Sequence, residues 1–562
     1  MIEIKDFNIK PIDYISQSIG INPDDTYHYG KYIAKIPYDY NLSNNPDGKV
    51  ILVTAMTPTK SGEGKTLTSI GLSMALNKLG KKTVACLRQG SLGPVFGMKG
   101  ACIGSGKSMV LPAEELCMGF TGDFDAITSA NNLLSAMIDN HIYQGNTLNI
   151  DPDRIIWKRC MDVCDRSLKS IKTGWTRKKE FTELSSGFEI TAASEIMSIM
   201  TLSESLDELR TNLGNITVAY NYDGNPVYAK DLNAVGAMMA LLKRAFNPNL
   251  VQTCEGTPVL IHCGPFANVS LGTNSIVNTK LGMRLADYVV TEAGFASDLG
   301  AEKFLDIKCR KAGIDPSCIV IVATIKALRH HGGAEDENEQ NIDAVKAGIN
   351  NLMVHLNNLT NQFNQRVVVA LNRFPNDSEE EISIIKDTVE CTGIPFSIST
   401  AFSNGSDGVL DLARKVLIES NDSSCNPECF SFRPIIDLKP VNYTYSLEDT
   451  FEDKIFKVAK NIYHSQSVEY AEGVLEKLHN FEKMGYGNFP ICIAKTQYSL
   501  SDDAKLLNDA KNNVLHVRDV EIKTGAGFVI ILCGTMVTMP GLPKVPNAEK
   551  INLIDGKIMG LS

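Results

Sequence analysis

Seven short apolar runs, most of them rich in β-branched residues, recur between residues 50 and 400. They read "VILVT" from Val50, "TVACL" from Thr83, "VLIHC" from Val259, "YVVTEA" from Tyr288, "CIVIVAT" from Cys318, "RVVVALN" from Arg366 and "PFSIST" from Pro395. Helix-like segments separate most of them, as at Thr66 to Lys78 and Asn341 to Asn361. Continuous apolar strands alternating with helices predict an α/β fold: a mostly parallel sheet buried under helices on both faces. Ligands bind such sheets outside the carboxyl ends of the strands. "VAYNYDGNPVYA", centred on Asp223-Gly224, predicts a β-hairpin standing off the main sheet. At 562 residues the chain exceeds one core. Its texture changes after about Asn421, where turn residues accumulate before helix patterns at Leu447 to Tyr463 and Val468 to Met484 and a strand from Gly527. The expected division is 1–365, 366–445 and 446–562, with smaller α/β units following the first.

The first run leads into "TPTKSGEGKTLT", Thr57 to Thr68. A strand, a Gly-rich loop and a Lys-Thr pair opening a helix form the context of a phosphate-binding P-loop. Backbone N–H groups of Thr59, Lys60, Ser61, Gly62, Glu63 and Gly64 would converge on phosphate oxygens at the positive end of the helix. Lys65 would reach the β/γ-phosphates, and the Thr66 hydroxyl would hold Mg²⁺. The usual first glycine is replaced by Thr59. Lys60 reads either as a second phosphate lysine or as a solvated loop residue.

Arg88 follows the second run, where its fork suits a phosphate or carboxylate; the plainer reading is a surface ion pair. Asp123, in "FTGDFDAI", is by itself an N-cap, and on the sharper reading lies near Mg²⁺ or the nucleophile. A net charge of −10 and a pI near 5.5 argue against general nucleic-acid or membrane binding. The fourteen cysteines lack paired zinc-type spacing. Cys160 and Cys164 read as two thiols on a helix face. Unpaired cysteines, an N-terminus without an apolar signal core and no run of membrane-spanning length lead to the expectation of a cytoplasmic protein.

Taken together, "GEGKT", "SLGPVFG", "ANNLL", "DPDRIIWKR", "NLVQTCEGTP", "DYVVTEAGF", "DLGAEKFLDIKCR", "NRFPND" and "TMPGLPKVP" resemble the formate–tetrahydrofolate ligase family along nearly the whole chain. The resemblance implies a monofunctional ligase that couples ATP (with Mg²⁺), formate and tetrahydrofolate to 10-formyltetrahydrofolate, ADP and phosphate through formyl phosphate. It implies a homotetramer stimulated by a monovalent cation. Carried over residue by residue, it assigns Lys65 and Thr66 to ATP and Mg²⁺, and Arg88 to formyl phosphate, with Gln89 at a position that is Glu or Gln in the family. It assigns Phe374, Pro375 and Phe402 to the folate, makes 366–445 the folate-binding segment, and places Thr538 to Pro546 near the nucleotide. The chain departs from the family at Lys107, where a tyrosine is usual, at Asp125, where a histidine is usual, and at Phe402, where a tryptophan is usual. Lys107 and Asp125 read as a compensating pair or as the mark of a divergent paralogue. The divergent alternatives are a non-catalytic nucleotide- or folate-binding protein and a ligase for another small carboxylate.

Overall fold

The computed structural model describes residues 7–40, 47–97, 103–177, 180–422, 440–534 and 538–561. All seven apolar runs form strands of one sheet. Numbering only the strands that position the site, β1 is Lys49–Ala55, β2 Thr83–Leu87, β3 Asn249–Thr253, β4 Pro258–Ile261, β5 Tyr288–Glu292, β6 Pro316–Ala323, β7 Val367–Asn372 and β8 Phe396–Ser399. Their order is β3-β4-β2-β5-β1-β6-β7-β8. Every neighbouring pair from β4 to β8 is parallel, whereas β3 runs antiparallel to β4 and carries the short strand Ala34–Lys35, itself paired with Tyr27–His28 at the edge.

Alternation sorts the central strands between two cores, because successive side chains of a strand point to opposite faces. Val50 and Leu52 of β1 join the cluster containing Val289, Ile319, Ile321 and Leu281. Ile51 and Val53 pack instead with Leu72 and Leu76 of the helix α1 (Lys65–Lys78) and with Val320 and Val368. The strands therefore read as unbroken apolar runs, since neither face meets water. The expected hairpin is present as Thr217–Asn221 with Pro226–Tyr228, with Gly224 at φ +85°, and the first of these strands also pairs with Ile150–Ile155.

No break in the sheet occurs at 365/366. Residues 367–371 of β7 pair in register with 319–323 of β6, so the segment expected to form a folate-binding unit supplies the last two strands of the main sheet. A second sheet does form after residue 446, from β9 (Ser467–Tyr470), β10 (Ile491–Ala494), β11 (Val514–Lys523) and β12 (Phe528–Cys533), in the order β9-β11-β12-β10. Its apolar residues are continuous with the main core, and its buried Lys495 pairs with Asp298 at 2.7 Å. The helix pattern from Val468 resolves into β9 followed by a helix at Val474–Phe481. Most of the turn-rich stretch expected to precede this unit, 423–439, lies outside the described residues. No described helix is long and apolar enough to cross a membrane.

The helix α2 (Asp123–Tyr143) is fixed to the sheet edge by its first residue. The carboxylate of Asp123 accepts from Lys35 Nζ at 2.9 Å and from Asn249 Nδ2 at 2.8 Å, and all three side chains are buried. Burial lowers the Lys35 pKa, and the Asp123 charge opposes that shift. Removing one member strands a buried charge, whereas replacing both with apolar residues removes the debt. Asp123→Ala should therefore cost about 3–5 kcal/mol in urea denaturation, and Lys35→Met/Asp123→Leu should recover most of it.

Candidate active site

Gly64 caps α1 in the left-handed region at φ 81°, and Gly62 lies at φ +78°. A Cβ on Gly64 would come within 2.5 Å of Asn372 Nδ2, which donates to the Glu63 carbonyl at 3.2 Å. Glu63 accounts for the missing first glycine. Its side chain, 1% exposed, turns back under the loop and accepts from the Thr59 N–H at 2.7 Å and the Thr59 hydroxyl at 3.1 Å. Its other oxygen accepts from the Thr324 hydroxyl, just beyond β6. A carboxylate bridge thus closes the loop where a glycine turn would otherwise do so. Lys60 and Ser61 are exposed at the rim, and Lys326 donates to Ser61 Oγ at 3.1 Å. Lys65 and Thr66 are half-buried at the start of α1.

Three adjacent strand ends complete the cluster. β5 lies between β1 and β2, so its last residue, Glu292, stands between the P-loop and Arg88. Thr66 Oγ1 donates to Glu292 Oε2 at 2.7 Å, and Arg88 Nη2 lies 3.7 Å from Glu292 Oε1. Arg88 also donates to the Pro265 carbonyl at 3.3 Å, while its buried Nε has no partner among the described residues. A Cβ on Gly294 would sit 3.1 Å from the guanidinium, so a glycine is needed there. Gln89 is held by its N–H on the Cys263 carbonyl at 2.8 Å, with its buried Oε1 unpartnered among the described residues. The loop continues over Asp162, which accepts from Ser91 Oγ at 2.6 Å and Leu92 N–H at 2.8 Å; burial raises its pKa to about 7.

Phe374 and Phe402 follow β7 and β8 on the same edge of the sheet and are 43% and 55% exposed. Pro375 is exposed beside Phe374. Asp123 does not join this cluster: its carboxylate is taken up by Lys35 and Asn249. Nor do Lys107 and Asp125 pair with each other. Lys107 is at the hairpin turn between Gly104–Ser105 and Ser108–Leu111, with its N–H on the Phe402 carbonyl at 2.9 Å. Asp125 is exposed in the first turn of α2, and its charge contributes to raising the Asp162 pKa. The Thr538 to Pro546 segment lies on the Arg88 side: Thr538 O accepts from Ile190, Leu542 O from Arg166, and Asn547 beyond it donates to Gly97 O at 2.8 Å.

Sequence reasoning missed Glu292, Asn372 and the support beneath Thr57. "YVVTEA" carried the one available signal for Glu292, an acid ending an apolar strand. The Thr57 N–H donates to His355 Nε2 at 2.9 Å, and the Thr57 carbonyl faces His331 Nε2 at 3.1 Å. His331 Nδ1 in turn accepts from Asn508 N–H at 3.2 Å, and His355 Nδ1 faces Ser297 Oγ at 2.7 Å. Each imidazole presents one lone pair to an N–H donor, so each must stay neutral. Burial lowers both pKa values to about 4.

A P-loop whose threonine meets a strand-end carboxylate that in turn faces an arginine defines the class: an α/β enzyme built to bind and use a nucleoside triphosphate. The family model described as formate–tetrahydrofolate ligase matches residues 2–562. The chain belongs to that family, whose members are ATP-dependent ligases acting on formate and tetrahydrofolate.

Two outcomes follow from this geometry. Glu63→Gln keeps the shape but replaces one acceptor oxygen with a donor, so ATP Kd should rise about tenfold by calorimetry, roughly 1.4 kcal/mol, with the fold retained. The histidines set a pH dependence. Between pH 4 and pH 6.5 the unfolded chain binds more protons at these positions than the folded one. Their contribution is full above pH 6.5 and is lost as the pH falls toward 4. In His355→Gln, whose amide can still accept from Thr57 and donate to Ser297, the stability lost between about pH 7.5 and about pH 5 should be smaller than in the parent.

Proposed function

We propose that this chain activates formate as formyl phosphate and transfers the formyl group to N10 of tetrahydrofolate. The observation that carries this reading is the convergence of Thr66, Glu292 and Arg88 beside the phosphate loop, with two exposed aromatic rings two and three strands away on the same sheet edge. A formate oxygen attacks the γ-phosphorus of ATP, and the bond to the ADP oxygen breaks. The folate amine then attacks the formyl carbon, phosphate leaves with the electron pair of its C–O bond, and the amine proton passes to phosphate or solvent.

Lys65 and the loop N–H groups hold the triphosphate, and their charge stabilises the leaving ADP. Thr66 and Glu292 offer hard oxygen donors 2.7 Å apart, a set that suits Mg²⁺. Bound there, Mg²⁺ would neutralise phosphate charge. Arg88 neutralises the transferring phosphoryl group and orients it bidentately, its fork held in place by Pro265 and Glu292. Phe374, Pro375 and Phe402 offer flat apolar surface to the pterin, which gives the loops after β7 and β8 the folate-binding role.

The test is ADP release with each substrate omitted in turn. Release should require formate and should rise with tetrahydrofolate; release indifferent to formate would overturn the reading. Lys65→Ala should raise ATP Kd at least about tenfold and abolish turnover. Arg88→Lys keeps the charge but loses the fork, so kcat should fall about 100-fold while ATP affinity holds. Phe402→Ala should raise the tetrahydrofolate KM and leave the ATP KM alone, while Phe402→Trp should be tolerated.

A further inference from the structure

We propose that Lys107 determines specificity at the folate site by pairing with the glutamyl carboxylates of the co-substrate. The proposal rests on the folate reading above. Folate joins a flat apolar ring system to an anionic tail, and the surface around Phe402 presents both complements. The hairpin turn Gly106-Lys107 lies directly on this aromatic residue. A Cβ on Gly106, at φ +59°, would come within 2.3 Å of the Phe402 carbonyl and 2.8 Å of its ring. The Lys107 N–H donates to that same carbonyl at 2.9 Å, and the Lys107 carbonyl accepts from Cys254 Sγ at 3.2 Å. The backbone of Lys107 is therefore fixed beside an exposed ring, while its side chain remains exposed.

Two acids lie near the turn, each with a hydrogen-bond donor of its own. Asp407 pairs with Lys78 at 2.6 Å, and Glu255 accepts from the Ser406 N–H at 3.0 Å. Among the described residues no carboxylate forms an ion pair with Lys107. The backbone of the turn stands back from the phosphate loop. Ser108, the next residue, lies against Gly71, six residues along α1 from Lys65 and so roughly 9 Å down the helix axis. From this exposed turn a flexible four-carbon stem can reach the anionic tail of a folate stacked on Phe402. A tyrosine at this position offers no such charge.

Equilibrium binding of tetrahydropteroate, which lacks the glutamyl group, tetrahydrofolate and its triglutamate tests the assignment on the parent chain, Lys107→Gln, Lys107→Arg and Lys107→Glu. The parent should bind the three with rising affinity. Lys107→Gln should lose about fivefold for the glutamylated forms, the upper range of an exposed ion pair, and nothing for tetrahydropteroate. Lys107→Arg should preserve the preference, Lys107→Glu should reverse it, and the parent's preference should shrink as salt is raised. Equal losses for all three ligands would place Lys107 on the ring rather than the tail and overturn the proposal, as would unchanged affinities. Failure of the parent to bind any of the three would instead remove the folate reading, and this proposal with it.

Discussion

Parallel pairing of β1 with β5 on one side and β6 on the other determines where every reactive group can lie. In a parallel sheet all carboxyl ends emerge on one edge, so the loops after β2, β5, β1, β6, β7 and β8 share a single rim. Arg88, Glu292, the P-loop, Thr324, Asn372 and Phe402 appear there in that order across the sheet. A register slip of one residue in β1 would exchange its two buried faces and carry the P-loop out of reach of Glu292. The chemistry depends on backbone hydrogen bonds that contain no catalytic atom.

The rim is kept rigid from below by polar groups that have left water and found partners. Glu63 with Thr59 and Thr324, Thr57 with two neutral imidazoles, and Asn372 with the Glu63 carbonyl are examples. Left unpaired, any of these would cost more than the bond contributes when made. The loop can therefore keep one shape before nucleotide arrives, and preorganised N–H groups are what a phosphate cradle requires.

Much of this was legible in the sequence, and the legible part has a common physical cause. Strands buried on both faces must be apolar throughout, so β1, β2 and β4 to β8 could be read as runs. The P-loop declared itself through glycines that the left-handed backbone at Gly62 and Gly64 demands. Groups that meet only in three dimensions could not be read. Glu292 is one acid among many until β5 is seen to lie between β1 and β2, and no spacing rule joins His331 or His355 to Thr57. That β7 and β8 continue the main sheet past 365/366 was hidden for a similar reason, since a helix between two strands looks the same whether the second strand joins the old sheet or begins a new one. Asp123 is the instructive case: a Gly turn before a helix suggests either a cap or a catalytic acid. The sequence offered no sign of Lys35, a lysine 88 residues away on a strand two residues long.

The contact between His331 and the Asn508 N–H has a bearing on how the protein is made. Chains leave the ribosome from the N-terminus, and domains tend to fold in that order. Asn508 also accepts from Asn351 and donates to the Ala347 carbonyl, so it ties together two helices, Ile325–His331 and Ile342–Asn357, beneath the start of the P-loop. The last strand of the parallel sheet ends at Ser399, so the support under Thr57 stays incomplete for more than a hundred residues after it. A truncated product released before residue 508 would thus carry every glycine and lysine of the nucleotide motif without the base that shapes it. The base of the phosphate loop thus draws on residues from both ends of the chain, 57 and 508.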